Sequence, residues 1–279
     1  MTTKVAIQGY PGAFHELAAR YFYDDRSLEI VPADTFEDMI GLVEKQRNAH
    51  VGMMAIENTL TGSLLNNYRL LDKSNLQVTG EVYLRIRQNL MVLPGQRLED
   101  LREVHSHPVA IDQCLEFFKQ YPKVRLIKME DTALAAKKIR EQQLKDVGAI
   151  ASTTAADVYE LDIIAPGIET NKKNFTRFLA LEHRDSIVDH QFNKVSISFT
   201  VRHEVGSLHI VLAALAINKA NLSKIQSVPI VGRGWEYMIF IDFVLEDPSR
   251  FEATIDSLRH LTDDLKILGT YLKGNHYEG

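Results

Sequence analysis

The stretch Val5-Ala6-Ile7-Gln8-Gly9-Tyr10-Pro11-Gly12-Ala13-Phe14-His15-Glu16 runs from a short apolar strand, through two glycines, into the start of a helix. The same order recurs downstream. Glu29-Ile30-Val31 precedes an amphipathic stretch over 36–46, and the apolar run 50–56 precedes a helical stretch over 64–73. An apolar run at 82–93, a helix over 108–120, a strand at 124–129, a helix over 133–143, a strand at 147–151 and a helix to Leu161 complete the pattern. Such alternation predicts an α/β fold with largely parallel sheets. Two sheets joined through 77–93 would form two lobes, 1–76 with 162–181 and 77–161, with a cleft between them. Ligands in open α/β sheets sit beyond the carboxyl ends of strands, where helices begin.

The character changes after Leu181. Residues 182–194 are polar and rich in His and Asp, and read as a linker. Beyond it come a strand at 195–201, a helix over 208–220, strands at 222–230 and 235–245 around Gly232-Arg233-Gly234, a helix over 249–261 and a strand at 265–272. That βαββαβ order over 195–272 predicts a ferredoxin-like unit, followed by a short tail at 273–279.

Composition narrows the class. With 279 residues, 45% hydrophobic and 25% charged, the chain resembles an ordinary soluble globular protein of two or three compact units. A net charge of −5 without a basic block argues against nucleic acid. The single cysteine, Cys114, gives no disulfide framework and suits a reducing compartment. The start lacks the long apolar core of a signal peptide, and the apolar run 208–217 is about half of the roughly 20 residues that span a bilayer. A cytoplasmic protein without membrane contact is expected.

Several clusters have the residue types of an anion site. Asn174-Phe175-Thr176-Arg177-Phe178 places an amide, a hydroxyl and a guanidinium at a loop-to-strand junction, which suits an anionic substrate that must lose an oxygen. It is equally the composition of a capped surface turn. Gly9 to Ala13, Ser106-His107-Pro108, Asp131-Thr132 and Ser152-Thr153-Thr154 each precede a helix. Hydroxyls and free amides at the positive end of a helix dipole make carboxylate sites, although the same residues also serve as plain N-caps. Glu57-Asn58-Thr59 ends an apolar strand as either a site or a turn. No set of residues has metal-ligand spacing, so no metal is expected. Gly9-Tyr10-Pro11-Gly12 lacks both the dinucleotide fingerprint and the P-loop ending. Cys114 reads as core rather than as a nucleophile.

In order, Gly9-Tyr10-Pro11-Gly12-Ala13-Phe14, Ile56-Glu57-Asn58-Thr59 with Gly62, Ser106-His107-Pro108 with Gln113-Cys114, Thr132-Ala133, Ala149-Ile150-Ala151-Ser152 and Asn174 to Phe178 resemble the prephenate dehydratases. The tail unit resembles an ACT regulatory domain, with Gly206-Ser207-Leu208 and Asn221-Leu222-Ser223 in register. The resemblance implies a lobed unit like the type 2 periplasmic binding proteins over 1–181, and a homodimer or homotetramer built partly through ACT domains. It implies decarboxylating dehydration of prephenate to phenylpyruvate in phenylalanine biosynthesis, with no cofactor. Thr176 would donate to the departing hydroxide and Arg177 would clamp a carboxylate. Ser106, His107, Thr132 and Ser152 would anchor the other carboxylate. Phe178 would wall the ring, while Glu57, Asn58, Thr59 and Asn174 would complete the substrate site. L-Phenylalanine would bind at Gly206, Ser207, Leu208, Asn221 and Leu222 and inhibit. The chain departs from the family pattern at Ala55, Thr59 and Val109, at His15, where Ser or Thr is usual, and at Gln226 and Val228, where the tail motif normally reads Glu-Ser-Arg-Pro. Arogenate is the alternative substrate. A non-catalytic anion and amino-acid sensor is the rival class, lacking any need for the Thr176-Arg177 pair.

Overall fold

A computed structural model describes residues 2–23, 27–45, 48–186 and 191–278. The first lobe contains β1 (Lys4–Gln8), α1 (Phe14–Tyr23), β2 (Glu29–Ala33), α2 (Phe36–Glu44), β3 (Val51–Asn58), β4 (Gly62–Ser63), α3 (Leu65–Lys73) and β5 (Leu76–Arg85). The second contains β6 (Asn89–Val92), β7 (Glu103–Ser106), α4 (Pro108–Phe118), β8 (Arg125–Lys128), α5 (Thr132–Gln142), β9 (Val147–Ala151), α6 (Thr153–Tyr159) and β10 (Asp162–Ala165). The chain returns to the first lobe as β11 (Phe175–His183). The C-terminal unit follows as β12 (Lys194–Thr200), α7 (Ser207–Ile217), β13 (Ala220–Pro229), β14 (Tyr237–Leu245), α8 (Phe251–Arg259) and β15 (Asp263–Tyr271), with β16 (His276–Tyr277) in the tail. Part of the expected linker, 187–190, and the end of the expected helix over 36–46 lie outside the described residues.

Local chemistry sets the helix ends. Thr35 caps α2 by accepting from the Asp38 amide, and Glu37 and Asp38 complement the dipole in its first turn. Helix α5 ends at Gln143 and α6 at Glu160, both left-handed with φ of 49°.

The large sheet has the order β2-β1-β3-β11-β5-β15-β12-β14-β13, with β4 paired to β3 and β16 to β5. The second lobe's sheet runs β10-β6-β9-β7-β8. Both sheets are mixed, which corrects the expectation of largely parallel ones. β1 pairs parallel with β2 and β3, but β11 runs antiparallel between β3 and β5 because it re-enters from the opposite lobe. The lobe boundaries also move. β5 belongs to the first lobe and β10 to the second, so the chain crosses at 86–88 and again at 166–174. The C-terminal strand order β13-β14-β12-β15, antiparallel throughout, is that of a ferredoxin-like unit.

The apolar faces divide by layer. One cluster joins Val5, Ile7 and Phe178 of the first lobe to Ala133 and Ala155 of the second, so the lobes touch beside the cleft. On the other face of the large sheet, Met54 and Leu179 pack with Val228, Phe240 and Tyr271 of the C-terminal unit.

The two units share one sheet through a parallel pairing of Gly269 with Val78. A Cβ on Gly269 would collide with the Val78 carbonyl oxygen, which belongs to rigid backbone. Gly269→Ala should therefore destabilise by about 1–3 kcal/mol, as overpacking does. Gly41→Ala, in α2 with open space around it, should stabilise by about 0.5–1 kcal/mol. Calorimetric melting of the two variants checks both signs, and an unchanged midpoint for Gly269→Ala would mean that the junction is loose.

Candidate active site

The lobes enclose a cavity of about 310 Å³. Asn58, Thr176, Phe178 and His15 line it from the first lobe, and His107, Gln113 and Thr132 from the second. Alternation along β11 sends Thr176 and Phe178 into the cavity and Arg177 to the opposite face.

Thr176 is held from one side. Asn58 Nδ2 donates to Thr176 Oγ1 at 2.9 Å and to Asn174 Oδ1 at 2.7 Å. Asn58 Oδ1 in turn accepts the amides of Leu60 and Thr61 at 2.8 and 3.0 Å, which fixes the carboxamide. A hydroxyl that accepts one bond keeps its own hydrogen for another partner, and here that hydrogen is available to the cavity. Asn174 Nδ2 and Gln88 Nε2 both donate to Gln113 Oε1, at 3.0 and 3.2 Å, so side-chain amides bridge the lobes behind the threonine.

Two helix starts border the cavity. His107 Nδ1 accepts from the Val109 amide at 3.2 Å and caps α4, while Asp131 Oδ1 accepts from the Leu134 amide at 2.8 Å and caps α5. Burial raises the Asp131 carboxyl above its ordinary value despite those amides. His15 meets Phe178 edge to face at 5.1 Å and Phe36 at 5.5 Å. Its Nε2 is shut off from solvent and has no hydrogen-bond partner among the described residues. Burial lowers its pKa to about 4, so the ring is neutral near pH 7.

Other expected site residues lie elsewhere. Ser106 Oγ donates to the Ile150 carbonyl at 2.7 Å, within the second lobe. Ser152 caps α6 through Ala155 at 3.0 Å and donates to the Gly12 carbonyl at 2.5 Å, so it latches the lobes instead of facing the cavity. At that latch Gly12 has φ of +90°, and a Cβ would sit 2.8 Å from Ala155 Cα. Thr59 ties the strand ends together by donating to the Lys173 carbonyl and accepting from the Phe175 amide, both at 2.9 Å. Asn174 is buried behind Thr176 as a support.

Glu57 and Arg177 require the largest correction. Arg177 is buried on the rear of the sheet, where Nε meets Glu81 at 2.7 Å and one terminal nitrogen meets Asp242 at 2.5 Å. Its other terminal nitrogen donates to the Tyr271 hydroxyl at 3.0 Å. Glu57 pairs there with Arg177 at 3.4 Å and with Lys224. Neither residue reaches the cavity, because adjacent strand residues face opposite ways.

The expected effector residues are likewise divided. Ser207 and Leu208 border a second cavity of about 690 Å³, beside Trp235 and Tyr237. Gly206 caps α7 with φ of 89°, whereas Asn221 is exposed on β13 and Leu222 packs against the C-terminal core. Gln8, His15, Gln88 and Gln113 are cavity residues that sequence reasoning did not assign. Gln113, inside a recognised motif, and His15, where the family usually has Ser or Thr, carried a signal; Gln8 and Gln88 did not. Among the described residues no helix is long and apolar enough to cross a membrane.

The chain belongs to the prephenate dehydratase family, whose profile matches residues 5–186. An Arabidopsis thaliana protein named arogenate dehydratase/prephenate dehydratase 2, chloroplastic, is 36% identical across 96% of this chain and 72% of its own length. A solved structure described as "GqqA- a novel type of quorum quenching acylases" superposes with a TM-score of 0.87 at 29% identity, covering 97% of this chain and 98% of that one. The prephenate dehydratase of Arthrobacter aurescens in complex with L-Phe shares the fold, with a TM-score of 0.85 at 21% identity over 97% of this chain and 90% of that one.

The neutral His15 predicts an acid dependence. Between about pH 4 and its ordinary 6.5 the unfolded chain binds a proton at this site that the folded chain does not, so stability should rise with pH across that window. His15→Ser should flatten that part of the slope. Urea unfolding at pH 5 and pH 7 tests this, and identical slopes for parent and variant would place His15 in a wetter setting.

Proposed function

We propose that the cavity between the lobes is the site of decarboxylating dehydration of prephenate, in the biosynthesis of aromatic amino acids. Membership of the family supports the reaction, and the observation that carries the site is Thr176, fixed by Asn58 with its hydroxyl hydrogen available to the cavity.

The reaction breaks the bond from the ring to its carboxylate. The freed electron pair enters the ring, a new double bond forms, and the bond to the opposite ring hydroxyl breaks. Carbon dioxide, water and an aromatic product result, with the departing hydroxide taking up a proton. The electron pair leaves with the hydroxide and aromatisation drives the step, so the chemistry calls for no cofactor. Thr176 donates to the leaving oxygen, which is preorganised stabilisation of developing charge. Phe178 walls the ring. The side chains of His107 and Thr132, at the starts of α4 and α5, take the remaining carboxylate, because the Val109 and Leu134 amides are already held by His107 and Asp131. Arg177 supports the site from behind instead of clamping substrate.

Thr176→Ala should lower kcat by roughly 10²-fold, the scale of a lost oxyanion donor, while the melting midpoint stays near that of the parent. Thr176→Ser should recover much of the loss. Prephenate and arogenate supplied side by side at neutral pH, with phenylpyruvate and phenylalanine as readouts, assign the substrate. Turnover of neither would favour the sensor reading.

The βαββαβ strand order of the C-terminal unit supports its reading as an ACT domain, and the two lobes support the likeness to type 2 periplasmic binding proteins. The Arthrobacter structure with L-Phe supports phenylalanine as effector, and assembly into a homodimer or homotetramer belongs to the same reading. Titration calorimetry with millimolar L-phenylalanine should give saturable heat, and inhibition of turnover should follow it. An absence of heat would remove the effector site.

A further inference from the structure

We infer that Asp242 and Lys224, both in the C-terminal unit, are positioning residues for the chemistry at Thr176. The inference rests on the assignment of Thr176 as the leaving-group donor. It starts from register: on β11 and β3, Thr176 stands opposite Asn58, and the next pair is Arg177 opposite Glu57. The first pair faces the cavity and is joined by the 2.9 Å bond from Asn58. The second pair faces the rear and is joined by the 3.4 Å contact from Arg177 to Glu57. The donor pair and the charged pair are therefore the two faces of one short piece of ladder.

The C-terminal unit grips both members of the rear pair. Asp242, on β14, accepts from Arg177 at 2.5 Å, and its other oxygen accepts from Ser196 Oγ at 2.5 Å. Lys224, on β13, bonds Glu57 and also donates to Ser63 Oγ at 2.7 Å on the neighbouring β4. Backbone pairing is irregular here on the side toward β3, although β11 pairs regularly with β5 on the other. The register between β11 and β3 shifts immediately after Arg177, where a bulge leaves Ile56 without an opposite residue. The charges at the rear reinforce β11 against β3 where that register shifts. Neither Asp242 nor Lys224 borders the cavity, so each acts through Arg177 and Glu57.

The test is a double-mutant cycle on kcat in the full-length protein. Asp242→Asn and Lys224→Met are each made alone and in combination with Thr176→Ala. Each single change should lower kcat by about 10-fold with little change in KM, and in the Thr176→Ala background the further loss should shrink to less than about 2-fold. Equal fold-losses in both backgrounds would show a general structural effect and overturn the inference, as would unaltered kcat in both single variants. If Asp242→Asn does not fold, Lys224→Met at the less buried edge decides the matter alone. Parental turnover in Thr176→Ala would instead overturn the donor assignment and this inference with it, a result distinct from additivity.

Discussion

A guanidinium buried where two units meet is the constraint around which this structure is built. Arg177 brings a positive charge to the rear of the large sheet, and charges without partners are costly to remove from water. Three carboxylates, Glu57, Glu81 and Asp242, surround it, and Lys194 and Lys224 balance them. Burial pushes the Asp242 carboxyl up, but Arg177 and Lys194 outweigh that and hold it below its ordinary value. Burial would lower the Arg177 pKa, yet Asp242, Tyr271 and Glu81 raise it, so the guanidinium stays charged. Such a cluster contributes little net stability against an apolar replacement. Removing one member, however, costs about 3–5 kcal/mol, because its partners remain buried and charged. Its value is geometric: Glu81 on β5, Arg177 on β11, Asp242 on β14 and Lys194 on β12 tie the two units together in the observed docking.

The front of the sheet has a different electrostatic character. Among the described residues lining the cavity there is no Lys or Arg, while Glu130 and Asp131 are present. Anionic groups of a substrate must therefore be met by neutral donors such as Thr132 and Thr176, against the field of those two carboxylates. Arg177, paired at the rear, contributes no direct contact to groups in the cavity.

Much of this was legible from residue order, and the failures have definite causes. The alternation beginning at Val5 and the βαββαβ order after Lys194 both correspond to observed elements. Thr176, Phe178, Asn58, His107 and Thr132 do meet in one cavity. Arg177 was misplaced because adjacency in sequence was taken as adjacency in the site, whereas a strand sends neighbours to opposite faces. Glu57 failed for the same reason. Ser106 and Ser152 have the composition of anion sites, but their hydroxyls are engaged by Ile150 and Gly12, contacts set by tertiary packing. The placement of β5 could not be seen because 82–93 reads as one apolar stretch, interrupted by Arg85 and by Arg87-Gln88-Asn89, with no Gly or Pro to mark the crossing between lobes.

The pairing of β15 and β16 with β5 also affects how the chain avoids self-association. Without them β5, ten residues long and largely buried, would present a free row of backbone donors and acceptors along one side. Exposed strand edges of that kind template intermolecular sheet growth. The returning tail shields its half of the edge with His276 stacked on Tyr83 at 4.5 Å and Tyr277 stacked on Tyr21 at 4.5 Å. The C-terminal unit and tail thus act as an edge guard for this sheet, and loosening them would bare a strand edge of the aggregation-prone kind.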